Sequence, residues 1–289
     1  KGCGTALITP FEKNLSVDYN SFRQLVRRQI EGGIHFLVPL GTTGETPCLE
    51  DKEKLQLVEI TVEEAGGRIP VVVGVGSNNT NHVIHNIHMF SKANVDAFLV
   101  VTPYYNKPTQ QGMVNHFTSI AESTDKPIIM YNVPARTSVN MSAETALKLA
   151  ELNNIIATKE ASSNYAQITE IIRNAPEGFS VLSGNDDETL SLIVTGAKGL
   201  ISVASNIAPE LMSEFLNKLL NDEFVEARAL HHKLTPLFKN CFVESNPIPV
   251  KAGMHKLGLL ENVLRPPLYT SVNSTLDIME KTVKELNLI

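Results

Sequence analysis

Eight short apolar runs, each followed by a stretch of helical period, constrain this chain more than any other feature. The runs are GTALIT (4–9), HFLVPL (35–40), IPVVVGV (69–75), DAFLVV (96–101), PIIMYN (127–132), IIATKE (155–160), FSVLSG (179–184) and GLISVA (199–204). They are rich in Val and Ile, and several are apolar throughout, as strands covered on both faces should be. Between them the period changes. In SFRQLVRRQIEGG, Phe22, Leu25, Val26 and Ile30 share one helical face, and Gly32 and Gly33 follow as a stop. In DKEKLQLVEITVEEAGG, Leu55, Val58, Val62 and Ala65 repeat the pattern and Gly66 ends it. Strands and helices alternating in this way build either a closed barrel or a doubly wound sheet. The count of eight and the steady spacing favour an α/β fold, a (β/α)8 TIM barrel. After about residue 206 the pattern turns wholly helical, and APELMSEFLNKLLND opens with Pro209 where a first helical turn tolerates it. The expected division is a catalytic barrel over residues 1–225 and a C-terminal helical extension over 226–289.

Composition narrows the function. A chain of 289 residues suits one barrel with an appendage, and 43% hydrophobic with 19% charged residues is an ordinary globular balance. The net charge of −6 speaks against a nucleic-acid partner. No apolar run approaches the roughly 18 residues that a membrane span requires. Cys3, Cys48 and Cys241 are odd in number and far apart, which suits a reducing compartment better than a disulfide framework. The first residues, KGCGTALITPF, lack a signal-peptide pattern, so the expected location is cytoplasmic.

In a barrel, chemistry gathers at the C-terminal ends of the strands. Those ends here read GTTGET (41–46), TPYYNKPTQ (102–110), YNVPART (131–137), Lys159, SGNDD (183–187) and the vicinity of Ile201. Lys159 raises the sharpest question, because a buried ammonium is costly unless it is paired or loses its proton. It could snorkel to the rim or pair with a carboxylate. Its neighbour Glu160 is a poor partner, since adjacent strand residues point to opposite faces. The other reading is a desolvated, partly neutral amine that attacks a carbonyl and forms a Schiff base. GTTGET offers two hydroxyls and free backbone N–H groups to a small anion, although a plain strand-to-helix turn explains it equally well. It lacks the Gly-Lys-Ser/Thr ending of a Walker loop, and GVGSNN (74–79) fails as a dinucleotide fingerprint because Asn79 holds its third glycine position.

Tyr131 could move a proton or simply sit at the rim. Arg136 could clamp a carboxylate or lie on the surface. Tyr104 and Tyr105 fit an interface or packing pair. His82, His85 and His88 fan around a helix instead of converging, and neither they nor His231 and His232 compose a metal site; no metal is expected.

Taken in order, GTTGET, VTPYYNKPTQQG, YNVPART, IIATKEAS, LSGND, GLISV and ESNPIPVK resemble the dihydrodipicolinate synthase (4-hydroxy-tetrahydrodipicolinate synthase) family. That family belongs to the pyruvate-dependent class I aldolases, which include N-acetylneuraminate lyase. The resemblance spans essentially the whole chain and implies a set of roles. Lys159 forms the imine with pyruvate. Thr42, Tyr131 and Tyr105 form a proton relay, with Tyr105 reaching into a neighbouring subunit. Thr43 binds the pyruvate carboxylate, and Arg136 holds that of L-aspartate 4-semialdehyde. Gly184 and the carbonyl of Ile201 line the pocket, and Asn246 is a further substrate-binding candidate. The resemblance implies no cofactor, a place in diaminopimelate and lysine biosynthesis, and a homotetramer built as a dimer of dimers.

Related sialic-acid lyases share the Lys and Tyr motifs but generally lack the arginine after YNVP. Sugar-acid aldolases of the same fold and a non-catalytic keto-acid binder are the alternatives. One departure stands out. Where lysine-inhibited members carry histidines after GTTGE and a glutamate in the helix after strand three, this chain has Asp51, Lys54 and His82, although Asn78 and Tyr104 remain. The expectation is weak lysine feedback.

Overall fold

All eight apolar runs become strands in the computed structural model, which describes residues 1–289. They are β1 (Gly2–Ala6), β2 (Phe36–Val38), β3 (Val72–Gly74), β4 (Ala97–Val101), β5 (Ile128–Asn132), β6 (Ile155–Glu160), β7 (Ser180–Ser183) and β8 (Gly199–Ser202). Every pairing between these strands is parallel, and helices intervene between successive strands. This is the (β/α)8 barrel class with helices at its C-terminal end, as the alternation predicts.

The chain divides into two compact units, one holding Val72–Ile201 with Lys1 and the other Gly2–Val71 with Ser202–Ile289. In the first, β3 to β8 pair in sequence order. Their side chains are buried almost without exception; Ile156 on β6 is exposed. Tyr131 of β5 lies opposite Lys159 of β6, and Asn132 lies opposite Glu160.

The second unit contains the parallel pair β1–β2, with Gly4 opposite Phe36 and Ala6 opposite Val38. Its helices Tyr19–Glu31 and Asp51–Ala65 depart from the expected faces. Gln29, not Ile30, completes the buried stripe of the first helix. The amide can be buried because both its ends find partners: Thr5 Oγ1 donates to its Oε1 at 2.7 Å, and its Nε2 donates to the Ser205 carbonyl at 3.1 Å. In the second helix Val58 and Ala65 are buried as expected, but Leu55 and Val62 are only half-buried. Leu57, Ile60, Thr61 and Glu64 take the inner face instead. Glu64 tolerates that position because Arg27 Nε donates to it at 2.6 Å and Arg23 also pairs with it. Gly33 and Gly66 stop these helices with φ of +76° and +55°, a region that a side chain disfavours. Four long helices close the chain, Pro209–Leu220, Phe224–Asn240, Ile248–Lys256 and Asn273–Glu285. No helix is long and apolar enough to cross a membrane.

Candidate active site

Strand alternation decides the surroundings of Lys159. On one face of the β5–β6 pair, its Nζ rests 4.1 Å from the centroid of the Tyr131 ring. On the opposite face, Glu160 is fully buried and accepts from Asn132 Nδ2 at 3.2 and 3.3 Å and from Ser162 Oγ at 2.8 Å. The neighbouring carboxylate therefore serves a polar cluster behind the strand and is not the partner of Lys159. Burial pulls the Lys159 ammonium down to about 7; the charge of Asp186 opposes this shift and that of Arg136 adds to it. Burial likewise raises Tyr131 to about 12, so its phenol keeps its proton through the neutral range. Glu160 rises to about 7 for the same reason, against the pull of its hydrogen-bond donors Ser162 and Asn132. A half-neutral amine over a protonated phenol can attack a carbonyl and receive help with the proton transfers that follow.

The remaining expected residues of this unit fall around that pair in the chain. Arg136 is exposed in the short helix Pro134–Thr137, directly beyond β5. Gly184 follows β7, and its N–H donates to the Glu160 carbonyl at 2.7 Å. A Cβ there would meet Ala161 Cβ at 2.8 Å and that carbonyl oxygen at 2.9 Å, so the close approach demands glycine. Ile201 is fully buried in β8. Tyr105 is 88% exposed and left-handed at φ +71°, in a loop anchored by Asn106 Nδ2 donating to the Asn78 carbonyl at 2.9 Å.

In the other unit, GTTGET forms two short 3-10 turns, Thr42–Gly44 and Thr46–Cys48, joined at Glu45. Thr42 is exposed and Thr43 buried. Asn246 is buried too, and its Nδ2 donates to Thr43 Oγ1 at 2.9 Å, which brings two expected site residues together.

Comparison with known proteins gives the family of the chain. The model of the dihydrodipicolinate synthetase family matches residues 1–286. The chain belongs to this family. A 4-hydroxy-tetrahydrodipicolinate synthase of Fervidobacterium nodosum is 47% identical, with 100% of this chain and 99% of the relative covered. The crystal structure of dihydrodipicolinate synthase from Thermotoga maritima superposes with a TM-score of 0.98 at 43% identity, covering 100% of this chain and 99% of the other. A structure described as a monomeric dihydrodipicolinate synthase variant matches with the same TM-score and identity, covering 100% and 97%.

Sequence reading passed over two residues of this family member. Glu45 and Lys251 were visible only as letters within GTTGET and ESNPIPVK, yet they form a fully buried ion pair at 2.6 Å. A lone lysine in the apolar run IPVKAGM is the same signal that singles out Lys159, and it could have found Lys251. GVGSNN is a strand-to-helix connection, in which Asn79 caps the helix Thr80–Met89 by accepting from Asn81 N. His82, His85 and His88 are exposed along that helix, while His231 packs against Phe215 and Phe238.

Proposed function

We propose that this protein condenses pyruvate with L-aspartate 4-semialdehyde, the 4-hydroxy-tetrahydrodipicolinate synthase reaction, through an imine on Lys159. The observation that carries the reading is the buried Lys159 amine, held near neutrality against the Tyr131 ring. The amine attacks the keto carbon and water leaves. Protonated on nitrogen, the resulting imine makes the methyl group acidic, because loss of a carbon-bound proton then yields a neutral enamine. The enamine carbon then attacks the aldehyde, whose oxygen takes up a proton, and the amine of the semialdehyde adds to the regenerated iminium carbon and displaces Lys159. Tyr131 carries protons as a phenol, in a relay with Thr42 and with Tyr105 of a neighbouring subunit. Thr43 receives the pyruvate carboxylate. Arg136 suits the carboxylate of the second substrate, since a guanidinium can bind it through two parallel hydrogen bonds. Gly184, the Ile201 carbonyl and Asn246 shape the keto-acid site.

The exposure of Tyr105 fits service to another subunit, and we propose a dimer of dimers acting in the cytoplasm. That a related synthase variant is described as monomeric implies that oligomers are the norm among such enzymes. We retain 1–225 and 226–289 as the proposed catalytic and accessory parts.

Borohydride reduction in the presence of pyruvate tests the mechanism. A stable mass adduct is expected on Lys159 and is expected to vanish in Lys159→Ala; its absence from the unmodified protein sinks the reading. Aspartate semialdehyde should then be preferred over N-acetylmannosamine as acceptor. The reverse preference would favour a sialic-acid lyase.

A further inference from the structure

The segment that carries Asn246 also carries Lys251, and both reach back to the turn GTTGET. Lys251 Nζ pairs with Glu45 Oε1 at 2.6 Å and donates to the Val263 carbonyl at 2.8 Å. It also sits 4.1 Å from the centroid of the Phe11 ring. Two acceptors and a ring face thus occupy the ammonium on three sides. The other oxygen of Glu45 accepts from the Arg265 backbone N–H at 3.0 Å. The Arg265 guanidinium is in turn fixed by two hydrogen bonds of 2.7 Å to Glu53, at the start of the helix Asp51–Ala65. The carboxylate of Glu45 is therefore held at both oxygens by groups that are themselves held.

The backbone shows what this anchoring does. Glu45 adopts φ +53° and ψ +34°, the left-handed region, at the junction between the two 3-10 turns. A residue with a side chain stays there only when its surroundings over-determine it. Glycine would adopt the conformation freely but would supply no carboxylate to anchor. On the other side of the junction, the Gly44 carbonyl accepts from Thr9 Oγ1 at 2.7 Å, and Thr43 Oγ1 accepts from Asn246. With its oxygen engaged in this way, the Thr43 hydroxyl has its own hydrogen to give to an anion. A buried ion pair gives little net stability over apolar residues of similar volume, so stability alone explains its presence poorly.

We propose that Glu45 and Lys251 are positioning residues, which hold the Thr42–Thr43 turn in the shape that receives the keto acid's carboxylate. The inference rests on the pyruvate reading above. It assigns the segment Asn246–Lys251 a role in substrate affinity, through the turn and without contact with the reacting carbon.

Lys251→Met, Glu45→Gln and the double variant test it. For each, the pyruvate concentration giving half-maximal borohydride adduct on Lys159 is measured, with KM for both substrates, kcat and the urea midpoint. Lys251→Met should raise the half-saturating pyruvate about tenfold while the aldehyde KM stays within about twofold, the mark of lost ground-state binding, with a smaller fall in kcat because Thr42 of the relay sits in the same turn. Glu45→Gln keeps an oxygen to accept from Lys251, and its shift should be smaller. The double variant leaves no charge buried alone and should recover much of the urea midpoint. Its pyruvate requirement should nevertheless stay high. Should it recover affinity together with stability, the pair is a structural element only and the proposal falls. Unchanged pyruvate dependence in all three variants overturns it as well. If Lys251→Met does not fold, the double variant and Glu45→Gln decide. Absence of an adduct in the unmodified protein would sink the pyruvate reading itself, an outcome distinct from normal trapping with unaltered variants.

Discussion

Lys159 and Lys251 are both buried, and each sets its ammonium 4.1 Å from the centroid of an aromatic ring, Tyr131 for one and Phe11 for the other. They differ in what else is at hand. Lys251 has the Glu45 carboxylate at 2.6 Å and a backbone carbonyl at 2.8 Å. Lys159 has the ring and only a partial offset from Asp186. Burial draws both amines down, Lys159 to about 7 and Lys251 to about 8. At pH 7 about half of Lys159 is then neutral, whereas about nine-tenths of Lys251 keeps its charge. An unshifted lysine would be neutral in only about one molecule in three thousand. On the two proposals above, a carboxylate in contact separates a reagent from a strut built of the same side chain.

The largest expected effect puts the two lysines on opposite sides. Lys159→Met should remove the imine and cost activity by about 10³-fold or more, yet stabilise the fold. The sign follows from the shift: the folded-state pKa lies below the unfolded one, so the folded protein pays to keep this amine charged. That cost is full below about pH 7 and disappears as pH rises through the unfolded value near 10.5. The gain from Lys159→Met should thus be on the order of 2–4 kcal/mol in acid and shrink towards alkaline pH. Lys251 is depressed in the same direction, but its removal also strands the buried Glu45 carboxylate, and that loss should outweigh the gain, so Lys251→Met should destabilise by about 3 kcal/mol. Urea unfolding at pH 6 and pH 9 checks both; a shared sign would erase the distinction.

Next comes the pH dependence of imine formation. Its rate should fall about fivefold from pH 7 to pH 6 and gain less than about twofold from pH 7 to pH 8, following the neutral fraction. A rise of about tenfold per pH unit up to pH 10 would mean that Lys159 is no more desolvated than a surface lysine. Arg136 sharpens the comparison, because its charge helps to depress Lys159. Arg136→Ala should move that profile upward and raise KM for the semialdehyde by about 10- to 100-fold, with Arg136→Lys between the two. A variant with both parameters unaltered would free Arg136 from any part in the site.

Much of this was legible in the chain because it depends on short-range periodicity. β6 coincides with IIATKE to the residue, and alternation alone placed Lys159 and Glu160 on opposite faces. Periodicity does not say where ladder pairing stops, which is why IPVVVGV yields only Val72–Gly74. Nor does it see polar residues that bury by finding partners far along the chain. Gln29 displaced Ile30 through Thr5 and Ser205, and Glu64 joined a buried face through Arg23 and Arg27. The pairing of Glu45 with Lys251 is of the same kind, set by tertiary contact and silent in either local stretch.

The smallest effect concerns a third lysine, half-buried at the start of a helix. Lys54 is bound to Asp51 at 3.0 Å in the first turn of its helix, and Asp51 is well exposed. A pair open to solvent on its carboxylate side is weak and screened, so it fixes no turn. On the resemblance drawn from the sequence, Lys54 puts a positive charge where lysine-inhibited members carry a histidine, and His82 puts no carboxylate where they carry a glutamate. Addition of lysine in the steady-state assay should therefore change the rate by less than about twofold at 1 mM. Lys54→His with His82→Glu should increase that sensitivity if these positions control it. Inhibition of the unmodified enzyme by micromolar lysine would overturn the expectation and show that Asn78 and Tyr104 suffice to hold the ligand.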